Sequence, residues 1–162
     1  MDKSFSAYDT ALIFSNTFKI LFDKHMLARM TGNYEEFALV ISAIANGAFA
    51  CELFLKSLLT APLRGHRLYN DLFCKLDPLT AQEIETLVIE CFKRKKEKTI
   101  SSEEFFSNFK NLERSFEEFR YFHEPKYGDK EKVYNLDFLE VLVFSLREIC
   151  EKKFGVRPVR EQ

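Results

Sequence analysis

Arg120 and His123 stand close together in the segment Arg120-Tyr121-Phe122-His123-Glu124. On a helix, residues three apart lie on neighbouring faces, so a guanidinium would sit beside an imidazole. A cation next to a general base is a pairing that can cleave RNA without a metal: Arg120 would hold the phosphate and His123 would move the proton. A plainer reading competes with this one. His123 follows Phe119 by one helical step and so continues an apolar stripe, where a partly buried histidine hydrogen-bonds locally. Arg120 also has Glu117 and Glu124 at helix-neighbour spacing, pairs worth only about 0.2–0.5 kcal/mol each on an exposed helix.

Glu52 and Lys56 are the second candidate pair. The Glu-before-Lys order at i, i+4 is the favourable one. As a surface pair it would flank the core; as a functional pair it would orient Arg120 or line a groove. His66, just after Gly65, either joins that groove or simply starts a short helix. The basic run Lys93-Arg94-Lys95-Lys96-Glu97-Lys98 is able to contact phosphates. It also falls where a helix should end, and cations are favoured there by the helix dipole. A solvated helix end is the simpler expectation.

Other chemistries find no residues to carry them. No Gly-rich phosphate loop, no H-E-x-x-H and no metal-ligand spacing occurs, so no metal and no cofactor is expected. Cys51, Cys74, Cys91 and Cys150 are widely spaced in apolar stretches, which reads as buried free thiols in a reducing compartment. The formal net charge is −1, so whole-molecule attraction to nucleic acid or to a membrane is not expected and any such binding needs a local patch. The N-terminus lacks an apolar signal core, and no membrane-spanning helix is expected. The protein reads as cytoplasmic.

These residues must be positioned by helices. With 18 Phe and no Trp, phenylalanine has to supply much of the core, and only 5 Gly and 4 Pro leave few turns for a many-stranded sheet. Residues 5–30 form a first long helix on the face Ala7, Ala11, Phe14, Phe18, Leu21, and Thr31-Gly32-Asn33 ends it. Residues 34–61 form a second, with Phe37, Ile41, Ile44, Ala48, Cys51, Leu55 and Leu58 inward and Pro62 as its stop. Its small middle, Ala43 to Ala50 around Gly47, allows close approach of a neighbouring backbone.

A short helix follows near His66–Leu76, broken by Asp77-Pro78. Thr80 and Glu83 form a capping box, with Leu79 and Ile84 as its hydrophobic staple, for a helix that buries Ile84, Leu87, Val88 and Cys91. Ser101 and Glu104 cap the next one, whose stripe is Phe105, Phe109, Leu112, Phe116 and Phe119, closed by Glu124-Pro125. Residues 126–134 are a polar loop. Asn135 caps a last helix to about Phe154, with Leu139, Leu142, Val143, Leu146, Ile149 and Cys150 inward. The expected fold is all-α: an antiparallel up-and-down bundle of five to six helices in one domain, residues 1–155, with a short tail, 156–162.

The stretch Ala50-Cys51-Glu52-Leu53-Phe54-Leu55-Lys56-Ser57-Leu58-Leu59 resembles the A-x-E-x-x-L-K-x-L-L signature of HEPN domains, the higher-eukaryote and prokaryote nucleotide-binding superfamily. Gly65-His66-Arg67-Leu68 is similar to the Gly-His-x-Leu start of the family's next short helix, and Arg120-Tyr121-Phe122-His123-Glu124 to its Arg-Tyr-aromatic-x-Glu segment. The three occur in the family's order. The resemblance implies a helical bundle, commonly a homodimer, and a bacterial defence or toxin–antitoxin setting in which members bind or cleave RNA.

The family's catalytic motif is an Arg followed after four to six residues by a His, and none of His25, His66 and His123 has an Arg so placed. The expectation is therefore a HEPN-like module that binds RNA or a partner protein without cleaving, with Glu52, Lys56, His66, Tyr121 and Glu124 as binding residues. Two alternatives stand beside it. One is a divergent metal-independent ribonuclease using Arg120 and His123. The other is a structural oligomerisation bundle with no nucleic-acid role.

Overall fold

The computed structural model describes residues 6–121 and 135–156. They form α1 (Ala7–Thr31), α2 (Tyr34–Phe37), α3 (Leu39–Leu58), a π-helical turn (Leu68–Leu72) running into a 3-10 turn (Phe73–Lys75), α4 (Pro78–Lys96), α5 (Ser102–Asn111), α6 (Ser115–Arg120) and α7 (Leu136–Phe154). No strand occurs among the described residues, and six of the α-helices have six residues or more, as the all-α expectation required.

α3 sits at the centre because its small and apolar residues leave it buried on most sides: Ala43, Ala48, Ala50, Cys51, Phe54 and Leu55 are all inaccessible. α1 runs antiparallel to it, with His25 beside Phe37 at one end and Phe14 against Phe49 further along. α7 is antiparallel to α1, since the Tyr8 hydroxyl donates to the Gly155 carbonyl and Arg147 donates to Asn16. α4 lies antiparallel to α7 in turn, with Phe92 near Phe138 and Lys152 paired to Glu83. Phe73, Phe105, Phe109 and Phe138 meet at the other side of the molecule at ring-centroid distances of 4.8–6.3 Å, mostly edge-on or tilted. Such geometries set the positive edge of one ring against the negative face of the next.

Local signals fixed most ends. Ser6 and Asp9 form a capping box at α1, Gly32 ends it in the left-handed region at φ 72°, Ser101 and Glu104 cap α5 reciprocally, and Asn135 accepts from the Phe138 amide. Where two signals compete, the stronger one takes the helix. Asp77 caps α4 by accepting from the Thr80 amide, with Pro78 at the first helical position, so the expected Thr80–Glu83 box does not form and Leu79, far from stapling anything, is exposed. The Thr80 hydrogen bonds hold the Asp77 carboxyl below its usual range.

Other expectations fail for tertiary reasons. The helix expected over 34–61 is broken at Ala38. His25 Nδ1 lies 2.9 Å from the Phe37 carbonyl, so that oxygen is withdrawn from the ladder and the Ile41 amide bonds instead to Ala38. Phe37 is consequently half exposed, and α3 ends at Leu58, before Pro62. The thin stretch of α3 admits a side chain rather than a backbone: a Cβ on Gly47 would lie 2.7 Å from the Phe18 ring.

The Phe105–Phe119 stripe is two helices, because the chain turns at Leu112–Arg114 and α6 folds back against α3. The third helix begins at Leu68, not His66. Cys51, Cys91 and Cys150 are buried as expected, and burial pushes the Cys150 thiol up to about 12, but Cys74 is exposed.

Residues Tyr34–Leu58 reach the length and hydropathy of a membrane span by composition alone, more than the sequence reading allowed for. Half of that apolar window is buried in the bundle, and the segment is interrupted at Ala38 and carries Glu52 and Lys56. Those are the properties of a core helix.

Candidate functional site

Gly65 organises the approach to α3. It is buried, and a Cβ there would lie 2.6 Å from Asp71 Cβ. The bare backbone lets the Asp71 side chain close over the loop, where its Oδ2 accepts from the His66 and Arg67 amides at 3.3 and 3.2 Å. Glu113, in the turn between α5 and α6, accepts from the Asn70 amide, and its own carbonyl accepts from the Leu68 amide at 3.1 Å. The loop and α6 are thus tied to the same turn.

So placed, His66 reaches α3. Its Nδ1 lies 2.9 Å from Oε1 of Glu52, and Lys56 Nζ lies 2.7 Å from that same oxygen. The expected surface pair of Glu52 and Lys56 is therefore something else: the Glu52 side chain is only 1% exposed, while that of His66 is 77% exposed. A buried carboxylate is tolerated when it is paired and hydrogen-bonded. Here Oε1 has two donors, and the buried Oε2 has no hydrogen-bond partner.

On the open side of His66 lies a cleft of about 600 Å³, lined by Phe14 of α1, Ala45, Asn46 and Phe49 of α3, and Phe116 and Arg120 of α6. It exists because α3 offers small residues here and α6 is short. Phe49 and Phe116 stack at 4.4 Å with 19° between planes, and Phe14 meets Phe49 edge-on at 4.6 Å. The Arg120 guanidinium lies 5.7 Å from the Phe116 ring centre and 5.4 Å from that of Tyr121. Asn46 donates its amide nitrogen to the Ser42 carbonyl at 2.7 Å, which leaves its side-chain oxygen as the acceptor of that amide. The cleft thus combines half-buried aromatic faces, one guanidinium, one imidazole and one fixed acceptor.

Of the residues singled out from sequence, Arg120 and His66 line this cleft, Glu52 and Lys56 stand behind His66, and Tyr121 flanks Arg120. Glu52 holds His66 and Lys56 holds Glu52, and no bond from either to Arg120 is seen among the described residues. His123, Glu124 and the 126–134 loop lie outside the described residues. Phe14, Asn46, Phe49 and Phe116 are cleft residues that the sequence reading left in the core or passed over; for Phe49, the signal was an aromatic beside the run of small residues.

The basic run ends α4, as expected, with Lys93, Arg94, Lys95 and Lys98 exposed, but part of it is also engaged by α7. Lys96 pairs with Glu140 and, at 3.1 Å, with Asp137, Lys98 reaches Asp137 at 3.8 Å, and the Lys95 ammonium sits 3.6 Å over the Phe144 ring. Partial burial disfavours the Lys96 charge, but the hydrogen bonds and charges of Glu140 and Asp137 outweigh it and raise its pKa. The run clamps α4 to α7. No cluster of metal-binding side chains occurs among the described residues.

No family model matches the chain, and neither does any curated protein or solved structure.

Proposed function

We propose that this chain is a HEPN-like helical module that binds single-stranded RNA in the cleft between α1, α3 and α6, without cleaving it. The observation that supports this reading is the joining of stacked, half-buried rings, Phe49 and Phe116, to the Arg120 guanidinium in one open cleft. Bases stack on aromatic faces whatever their sequence, at about 1–3 kcal/mol per base, and a guanidinium at the rim meets the phosphate between them. A duplex would hide its base faces from such a cleft; an unpaired strand offers them. The bacterial defence or toxin–antitoxin setting and a homodimer come with the family resemblance, and a cytoplasmic location with the free thiols and the absence of an apolar signal core expected from the sequence.

The test is fluorescence anisotropy with a labelled single-stranded RNA across a salt series. Binding is expected to weaken as salt rises. Arg120→Ala is expected to lower affinity about tenfold and to reduce the salt slope by about one, leaving the unfolding midpoint unchanged. The RNA is expected to stay intact throughout. Absence of binding at low salt sinks the reading, and cleavage that survives chelation of metals replaces it with the ribonuclease alternative.

A further inference from the structure

His66 is held in a way that fixes what its free nitrogen can do. Glu52 is buried, and an ionised carboxylate only accepts hydrogen bonds. Lys56, at 2.7 Å from Oε1, already balances its charge. The imidazole therefore meets that oxygen as a hydrogen-bond donor through Nδ1. In the neutral ring, the proton given to Glu52 sits on Nδ1 and Nε2 carries the lone pair. No hydrogen bond reaches Nε2 among the described residues, the ring is 77% exposed, and it forms part of the cleft wall together with Arg120 and Phe116. The ring cannot turn over without losing Glu52, and Gly65 and Asp71 fix the backbone that carries it.

We infer that His66 Nε2 is the acceptor for a ribose 2′-hydroxyl, and that this bond makes the cleft select RNA over DNA. The inference rests on the RNA-binding reading above and specifies which sugar the cleft takes. The chemistry is complementary: the 2′-hydroxyl is the one group that separates the two nucleic acids at a given sugar, and it can donate a hydrogen bond. A phosphate offers no such proton, and an Nε2 lone pair has nothing to give to it. Arg120 serves the phosphate and the Phe49 and Phe116 rings serve the bases; neither contact distinguishes ribose from deoxyribose. The imidazole, presented as an acceptor by a buried acid, is the part of the cleft that can.

The experiment compares three single strands of identical sequence, each about 12 nucleotides long to span an ordinary single-strand site: RNA, DNA, and RNA carrying 2′-fluoro groups. The fluoro strand keeps the ribose-like pucker and lacks the donor. The protein is the full chain at pH 8, as wild type, His66→Ala and His66→Phe. Wild type is expected to bind RNA about five- to tenfold more tightly than either DNA or the fluoro strand. Both variants are expected to bind all three strands alike, at the wild-type affinity for DNA. Both variants take one of the two donors from buried Glu52 and are expected to melt at a lower temperature, and circular dichroism checks that they keep the wild-type helical content and a single cooperative transition at the binding temperature. Wild type binding the fluoro strand as tightly as RNA overturns the inference, since pucker alone would then explain the preference. So does an RNA preference that survives in both variants, and so does cleavage of the RNA strand, which would make His66 a general base beside Arg120 and not a binding acceptor. Equal binding of RNA and DNA by wild type ends this inference and leaves the binding cleft standing, whereas no binding of any strand ends both.

Discussion

Phenylalanine builds two regions of this molecule, and it ends in opposite states in them. Around α5 and α7, Phe105, Phe109 and Phe138 are fully inaccessible, and Phe73 closes over them from the 3-10 turn. Between α1, α3 and α6, the rings of Phe14, Phe49 and Phe116 touch one another as closely, yet each keeps part of its surface open to the cleft. The residue type is the same and the ring distances are similar. What differs is the enclosure. Three elements, the 3-10 turn, α5 and α7, bring rings to the first cluster, so each ring is met from several sides. The second is flanked by Ala45 and Asn46, which are too small to cover it, and by a six-residue helix that ends at Arg120. A closed cluster stabilises the fold; an open one retains aromatic faces for something else to cover.

The sharpest way to break that contrast is truncation on each side. Phe109→Ala is expected to cost about 3–5 kcal/mol, the range for a large buried aromatic that leaves a cavity. Phe116→Ala, half-buried already, should cost less than half as much while weakening RNA binding. Urea unfolding of both variants measures the difference, and equal losses would mean that the cleft rings are ordinary core. Next is Gly47→Ala, at the seam between α1 and α3. Alanine in a helix interior gains about 1 kcal/mol over glycine. Against this, the new Cβ would stand 2.7 Å from the Phe18 ring, which is itself buried and has nowhere to move. Overpacking of that kind costs about 1–3 kcal/mol, so the net expectation is destabilisation, read from the same urea midpoints.

The smallest effect concerns the clamp on the closed side. Lys96 has a raised pKa in the folded protein, from an ordinary 10.5. A group of this sign contributes its stability in full below the unfolded value and loses it as pH rises through the folded one. Wild type should therefore lose stability above about pH 10.5 more steeply than Lys96→Met, which has no charge there to lose. Parallel pH profiles for the two would show that the clamp contributes nothing.

Much of this fold was legible because it is local. Ser101 with Glu104, Asn135, and Gly32 after Thr31 each declare a helix end within a few residues, and the inward face of α7 follows from its periodicity alone. The failures have long-range causes. The break at Ala38 depends on His25 taking a carbonyl from a segment across a turn. The turn at Leu112 is invisible in the stripe, because the four–three spacing continues across it. The site was half legible for the same reason. Arg120 and His66 are conspicuous residue types, but only the folded chain brings the loop that carries His66 to Glu52, and no spacing rule links residues so separated across Pro62. Phe14 was read, correctly, as facing inward; that its neighbours stop short of covering it is a property of the other helices.

The lysines bound to α7 have a kinetic consequence. The net charge is −1, and among the described residues Lys95, Lys96 and Lys98 are already engaged by Phe144, Asp137 and Glu140, so whole-molecule attraction of a polyanion is not expected. Encounter should proceed at the unsteered rate of roughly 10⁵–10⁶ per molar per second, and selectivity between strands should appear in how long each one stays.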